Sequence, residues 1–217
     1  IKADNLLLQN NISKIKYDII YCLDTNLTSF PLIIKSLNFQ TKCIYAIANK
    51  DLIIAGGNIL INKILASKNI IYPLDSEHFS LIDLFSINKN SISKIYITAS
   101  GGPFYFDKKI NMSNVLTKNV LSHPKWQMGK NNLIDSSNFM NKILEIYELS
   151  HIYNIPLSKI DFLICKEAYV HSIVKYNDQT ISLNCFNNNM LITLIKPLSY
   201  FYNFKQLKTD QKYLNID

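Results

Sequence analysis

The sequence predicts an α/β fold in which a parallel sheet presents functional side chains at the carboxyl ends of its strands. Short β-branched runs alternate with amphipathic stretches along the 217 residues, which is typical of this class. The predicted strands are 18–23, 43–48 and 70–74, with helices at 31–37 and 49–67 between them. Because 48% of the residues are hydrophobic, the chain can bury the core of one large domain or two small ones.

The helix that follows the second strand has both a start signal and an apolar face. Asn49 stands where an N-cap is expected, and Leu52, Ile53, Leu60 and Ile64 recur at helical spacing. The sequence therefore predicts a helix that packs its inner face on the sheet.

The second half of the chain predicts another sheet and a long helix. A strand at 95–98 leads into Ser100-Gly101-Gly102-Pro103-Phe104 and a polar loop to residue 130. Asp135 or Ser136 is expected to cap a helix that ends near Tyr147. Further strands are predicted at 161–166, 168–176 and 180–186, the last two joined by a turn at Asn177-Asp178.

The composition excludes several classes of partner. The net charge is +7, but all 23 basic residues are lysines, and nucleic-acid surfaces usually use arginine forks. Lysine without arginine, together with abundant Asn and Ile, indicates an AT-rich genome. No apolar run reaches the 18–20 residues or so of a membrane span. The four cysteines show no metal-binding spacing, so free thiols in a reducing compartment are expected. We therefore expect no nucleic-acid or membrane partner.

Three carboxylates form a candidate cation site. Asp75 and Glu77 follow the third strand, and in an extended chain residues two apart point the same way. Glu145 adds a third carboxylate on the predicted helix, with Asn141 four residues before it and Lys142 beside it. Three oxygen ligands with open coordination positions suit Mg²⁺ or Mn²⁺ held together with a substrate. Taken alone, the same residues also fit a solvated strand end and the wet face of an amphipathic helix.

Several motifs in order resemble the 1-deoxy-D-xylulose 5-phosphate reductoisomerase family over about residues 45–175. They are Ala48-Asn49-Lys50-Asp51, Pro73-Leu74-Asp75-Ser76-Glu77-His78, Ser100-Gly101-Gly102-Pro103-Phe104, His123-Pro124-Lys125-Trp126-Gln127-Met128-Gly129-Lys130, Ile134-Asp135-Ser136 with Met140-Asn141-Lys142-Ile143-Leu144-Glu145, and Val170-His171-Ser172. The resemblance implies NADPH-dependent rearrangement and reduction of 1-deoxy-D-xylulose 5-phosphate to 2-C-methyl-D-erythritol 4-phosphate, in non-mevalonate isoprenoid biosynthesis. It also implies Mg²⁺ or Mn²⁺ as the metal and a homodimer.

The family pattern also implies a role for individual residues. The metal positions are Asp75, Glu77 and Glu145, and the NADPH positions are Asn49, Asp51 and Gly129. The substrate positions are Lys50, Ser76, Glu77, Ser100, His123, Ser136, Asn141, Lys142 and Glu145, of which Lys50, Glu77 and His123 are catalytic. Trp126 matches the loop that closes over the substrate in this family. His171 is expected to be a structural, hydrogen-bonded histidine.

The resemblance divides the chain into the latter part of a Rossmann-like NADPH-binding domain (1–74), an α+β catalytic domain with a mobile active-site loop (75–207) and the start of a linker (208–217). The family's GxTGSIG segment and C-terminal helical domain are absent, and Ile1 is not Met, so we expect the native N-terminus upstream. Asp51 replaces a glutamate and Cys165 a histidine of the family pattern. The expected location is the bacterial cytoplasm, for example of an AT-rich symbiont, or alternatively a plastid or apicoplast stroma.

Two other functions remain open at this point. One is a metal-dependent sugar-phosphate isomerase or aldolase without a redox step, and the other is a non-catalytic remnant.

Overall fold

A three-stranded parallel sheet forms the first part of the protein. The computed structural model describes residues 12, 14–25, 27–83, 89–105, 112–121 and 130–201. The strands β1 (Ile19–Cys22), β2 (Ile44–Ile47) and β3 (Ile70–Pro73) lie in the order β1-β2-β3. All four residues of β2 are buried, as expected for the central strand of a covered parallel sheet. The carboxyl ends of β2 and β3 lie side by side, since Ile47 pairs with Pro73.

Two helices cover this sheet. They are α1 (Phe30–Leu37) and α2 (Lys50–Ala66). The Asn49 side chain accepts a hydrogen bond from the Leu52 amide at 3.1 Å, so it is the predicted N-cap of α2. The four residues predicted for the inner face of α2 are all buried, and they pack with Tyr45 and Ile47. The helix is kinked at Gly57, where φ is +47° and ψ is −150°.

A four-stranded mixed sheet forms the second part. Its strands are β4 (Ile92–Ala99), β5 (Ile160–Ile164), β6 (Val170–Tyr176) and β7 (Ile181–Cys185), in the order β5-β4-β6-β7. The β4–β5 pair is parallel, and the other two pairs are antiparallel. Residues of β7 alternate between exposed and half-buried, so within the described part of the chain one face of this strand is more covered than the other.

The remaining helices lie between and beside the sheets. They are α3 (Ser76–Phe79), α4 (Thr117–Val120), α5 (Lys130–Ser137), α6 (Met140–Tyr153) and α7 (Met190–Ile195). Single 3-10 turns occur at Leu27–Ser29, Lys89–Ser91, Met112–Asn114, Leu157–Lys159 and Lys196–Tyr200. Helix α6 joins the two parts, because Leu149 is buried in the core of the mixed sheet while Ile152 contacts both cores. No helix within the described ranges is long and apolar enough to cross a bilayer.

The predicted α/β class is confirmed, and each predicted strand is present within a few residues. Both boundaries of one predicted helix were wrong. Its expected end near Tyr147 lies inside α6, which continues to Tyr153. Asp135 and Ser136 do not cap a helix but lie inside α5, and α6 begins separately at Met140. The break falls at Phe139, whose φ of +63° is left-handed, and the Asn138 side chain accepts a hydrogen bond from the Met140 amide at 3.0 Å. The predicted active-site loop lies largely outside the described residues.

Candidate active site

Three elements bring the predicted site residues together. Lys50 is the first residue of α2, directly after β2, and Asp75 follows β3. Because β2 and β3 are neighbouring parallel strands, both residues emerge at the same edge of the sheet. Helix α6 contributes Lys142 and Glu145, which are buried. Polar side chains from distant parts of the sequence therefore converge at one sheet edge.

The three predicted carboxylates do converge, but not for the reason that the sequence suggested. Asp75 and Glu77 do not lie on an extended chain. Asp75 is the N-cap of α3, with its Oδ1 accepting a hydrogen bond from the Glu77 amide at 3.2 Å, and Glu77 lies within that helix. The short turn nevertheless directs both side chains towards Glu145, and one ligand oxygen from each lies within 4.8 Å of the others.

Two lysines compensate this negative charge. Lys50 Nζ donates to Asp75 Oδ2 and lies 3.8 Å from Glu145 Oε1. Lys142 Nζ donates to Glu77 Oε1 and to Glu145 Oε2, both at 2.5 Å. Such paired ions are tolerated inside a protein because every charge has a partner.

Burial and charge affect the acids of the cluster differently. Burial raises the pKa of Glu145 to about 8, and the neighbouring carboxylates add to this against the attraction of Lys142. Although burial also opposes ionisation of Asp75, its contacts with Lys50 and His78 hold the pKa of that carboxyl well below its usual value. Asp75 has two cationic neighbours in direct contact, whereas Glu145 is the more deeply buried group. The cluster therefore combines a firmly ionised acid with one that is costly to ionise.

A second layer of buried groups lies behind the carboxylates, and sequence reasoning missed it. His78 Nδ1 lies 2.9 Å from Asp75 Oδ1, and its Nε2 lies 2.9 Å from the Glu145 carbonyl oxygen. Glu148 is fully buried, with Oε2 at 3.7 Å from His78 Nε2. Burial would lower the pKa of His78, but Glu148 and Asp75 raise it to about 9. The available signal was the spacing of Glu148, three residues after Glu145 on the same helix face.

The chemistry of the carboxylate cluster fits a hard divalent cation. Asp75, Glu77 and Glu145 supply oxygen atoms only, and their ligand atoms lie close enough to share one ion. Carboxylate oxygens are the ligands that Mg²⁺ and Mn²⁺ prefer in proteins, and three of them leave coordination positions open.

A cavity of about 280 Å³ opens beside the cluster and contains most of the predicted substrate positions. Its lining includes Lys50, Ser76, Glu77, Ser100, Ser136, Asn141, Lys142 and Glu145. The loop after β4 approaches α5 closely at Gly102, where φ is +68° and an added Cβ would lie 2.6 Å from the Ser136 carbonyl oxygen. Only glycine fits there, and this contact brings Ser100 and Ser136 to the same wall.

The same cavity has apolar and aromatic walls that sequence reasoning did not assign. They include Phe139, Ala168, Met190 and His171. His171 stacks on the Phe186 ring with centroids 3.9 Å apart, and its Nε2 lies 3.2 Å from the Phe186 carbonyl oxygen. The prediction of a hydrogen-bonded histidine on the sheet is confirmed, and the residue also forms part of the cavity wall.

The predicted NADPH positions are only partly described. Asn49 is buried at the start of α2, and Asp51 lines a second cavity of about 280 Å³ together with Asp24, Lys50 and Asp135. Gly129, His123 and Trp126 lie outside the described residues.

A parallel sheet, a mixed sheet and a cluster of carboxylates beside a cavity with polar and apolar walls define a class of α/β proteins with a candidate metal-dependent active site. Residues 71–153 match the family model of the 1-deoxy-D-xylulose 5-phosphate reductoisomerase C-terminal domain. The chain belongs to the 1-deoxy-D-xylulose 5-phosphate reductoisomerase family.

Individual relatives agree with this assignment. The reductoisomerase of Pelagibacter ubique (strain HTCC1062) is 42% identical over 173 residues, which cover 79% of this chain and 43% of that protein. The Zymomonas mobilis enzyme in complex with NADPH is 26% identical, with a TM-score of 0.79 over 92% of this chain and 51% of the other. A reductoisomerase in complex with NADPH, fosmidomycin and magnesium has the same fold, at 24% identity and a TM-score of 0.80, covering 93% of this chain and 52% of that one. The chain thus spans about half the length of the relatives that it matches.

Proposed function

We propose that this chain carries the metal and substrate site of a 1-deoxy-D-xylulose 5-phosphate reductoisomerase. The enzyme would rearrange the carbon skeleton of 1-deoxy-D-xylulose 5-phosphate to an aldehyde and reduce it with NADPH to 2-C-methyl-D-erythritol 4-phosphate. The observation that carries the proposal is the set of three carboxylates with ligand atoms within 4.8 Å of one another, beside a cavity whose lining includes hydroxyl, amide and ammonium groups. The relatives named above support the reaction and the cofactors.

Asp75, Glu77 and Glu145 are proposed to hold Mg²⁺ or Mn²⁺. When bound, the cation would act as a Lewis acid towards the substrate's oxygens and fix their orientation. The clustered charges agree with this role. Among the described residues, Asp75, Glu77, Glu145 and Glu148 pair with three cationic side chains, those of Lys50, His78 and Lys142, so the acidic groups outnumber the cationic ones.

The donors around the cavity suit a phosphorylated sugar. Ser100, Ser136, Asn141 and Lys142 are proposed to bind the phosphate, because hydroxyl, amide and ammonium groups donate to its oxygens. Lys50 and Ser76 also donate to carboxylates of the cluster, Lys50 to Asp75 and Ser76 to Glu77. The Lys50 ammonium would stabilise negative charge that develops on a substrate oxygen. The walls formed by Phe139 and Met190 would exclude water from this space.

The NADPH assignments rest on the family pattern. Asn49, Asp51 and Gly129 are proposed to contact the cofactor, and His123 is proposed to contact the substrate. The proposed division into an NADPH-binding part (1–74), a catalytic part (75–207) and a linker from 208 agrees with the position of Asp75, directly after the last strand of the parallel sheet.

A homodimer is proposed through the outer face of the mixed sheet. By register, Ile181, Leu183 and Leu163 lie on one face, and they are 56, 59 and 44% exposed. Apolar side chains clustered on one sheet face are typical of a surface that another molecule covers. The bacterial relatives and the four free cysteines support a reducing compartment such as the bacterial cytoplasm.

The test is NADPH oxidation by the full-length gene product on addition of 1-deoxy-D-xylulose 5-phosphate and Mg²⁺ or Mn²⁺. We expect turnover that requires both the cation and Glu77, and little turnover in the Glu77→Gln variant. Consumption of the sugar phosphate without NADPH oxidation would instead indicate an isomerase or aldolase. The absence of any cation-dependent reaction would refute the proposal.

A further inference from the structure

Glu148 is a buried acid to which the proposed reaction assigns no task. Its side chain has no exposed surface, and among the described residues neither carboxylate oxygen has a hydrogen-bond partner. Within the described part of the chain, the cationic atom nearest to it is His78 Nε2, at 3.7 Å from Oε2. Since a buried carboxylate without a hydrogen bond is costly, its presence calls for a specific explanation.

The geometry of His78 supplies that explanation. The ring is fully buried, and each nitrogen faces an oxygen acceptor: Nδ1 faces Asp75 Oδ1 and Nε2 faces the Glu145 carbonyl, both at 2.9 Å. Both nitrogens must therefore carry a proton to make both bonds, and the ring is cationic. The Tyr153 hydroxyl donates to the His78 carbonyl oxygen at 2.7 Å, which fixes the backbone behind the ring.

We propose that Glu148 is a positioning residue, whose negative charge holds the His78 ring so that Nδ1 donates to Asp75 and orients it for the cation. The inference rests on the proposed function, because Asp75 is a ligand only in that proposal. Groups that hold the first ligands in place commonly change metal affinity by about 10- to 100-fold.

A separate cation site at Asp75, His78 and Glu148 is the alternative, because their ligand atoms also lie within 4.8 Å of one another. The orientation of the ring argues against it. Asp75 contacts Nδ1 whereas Glu148 faces Nε2, on the opposite side of the imidazole. A cation bound by one of these nitrogens would break the hydrogen bond that this nitrogen makes now. The arrangement therefore favours a chain of contacts from Glu148 through His78 to Asp75.

The experiment measures Mn²⁺ affinity by electron paramagnetic resonance in the full chain and two variants. Glu148→Gln keeps the size and removes the charge, and Glu148→Asp keeps the charge and is one methylene shorter. We expect the dissociation constant for Mn²⁺ to rise about tenfold or more in Glu148→Gln and less in Glu148→Asp. A packing role predicts the reverse order, and that order would overturn the inference. Glu167→Gln changes an exposed glutamate and serves as the matched control, with an unchanged constant expected.

A double-mutant cycle tests whether Glu148 acts through His78. If it does, adding Glu148→Gln to His78→Gln weakens Mn²⁺ binding little further, because the positioned ring is already gone. If the two substitutions raise the dissociation constant for Mn²⁺ by factors that multiply in the double variant, the inference is overturned. If Glu148→Gln fails to fold, the comparison of Glu148→Asp with the parent remains, and a loss beyond tenfold there contradicts a role of the charge.

The outcomes separate this inference from the proposed function. A parent protein that binds no Mn²⁺ refutes both. A parent that binds Mn²⁺ through Glu145, with Glu148→Gln binding equally well, refutes only the positioning role.

Discussion

Replacement of Glu145 by glutamine should remove cation binding while leaving the fold intact. Glu145 is 2% exposed and is shared by both lysines of the cluster. Two unit charges 4 Å apart at an effective dielectric constant of 20 interact by about 4 kcal/mol. Since a divalent cation bound by a buried carboxylate gains at least this much, we expect its dissociation constant to rise about 10³-fold.

The same substitution should not destabilise the cation-free protein at alkaline pH, although it weakens cation binding. Burial raises the pKa of Glu145 to about 8 from 4.5, so the folded protein disfavours the ionised acid. An acid with a raised folded-state pKa costs stability progressively as the pH rises from its unfolded value to its folded value. Without a cation, Glu145→Gln should therefore unfold at the same or a higher temperature than the parent near pH 8. Functional sites often lower the stability of a protein, and a buried acid that destabilises the fold but binds a cation fits this pattern.

The assay combines Mn²⁺ titration, thermal unfolding and NADPH oxidation, with Glu167→Gln as the matched control on an exposed glutamate. Activity of Glu145→Gln within about threefold of the parent, less than 1 kcal/mol of barrier, would refute the metal assignment. So would an unchanged affinity for Mn²⁺.

Three further predictions concern the fold. Asn49→Ala should lower the free energy of unfolding by about 1 kcal/mol in urea, because α2 loses its N-cap, whereas Asn49→Ser should retain most of it; equal losses would contradict the capping role. Leu149→Ala should cost about 2–5 kcal/mol in the same assay, since the side chain is fully buried in the core of the mixed sheet, and a loss below 1 kcal/mol would contradict that packing. Cys43 is fully buried, and burial raises the pKa of its thiol to about 12, so iodoacetamide should label Cys43 far more slowly in the folded protein than in urea; equal rates by mass spectrometry would refute this burial.

The sequence was sufficient for the features that local patterns encode. The strand that contains Tyr45 and Ile47 is a continuous apolar run, because a central parallel strand is buried on both faces. The cap at Asn49 was predictable because a single side chain and the backbone next to it determine it.

Features that depend on tertiary contacts were not predictable in the same way. The break between α5 and α6 requires a left-handed Phe139, a conformation that no local signal marks for an aromatic residue. The convergence of Asp75 with Glu145 depends on how α6 packs, although the residue types and the family motifs both predicted these residues. Glu148 was missed because a carboxylate on an amphipathic helix usually faces water, and its burial is visible only in the structure.

The central claim is that these carboxylates hold a divalent cation together with a phosphorylated substrate. The most direct test is calorimetric titration of the full chain with 1-deoxy-D-xylulose 5-phosphate, the proposed substrate, with and without Mn²⁺. We predict binding that requires Mn²⁺ and that is lost in Glu145→Gln. Binding of equal strength without the cation, or in the variant, would contradict the claim.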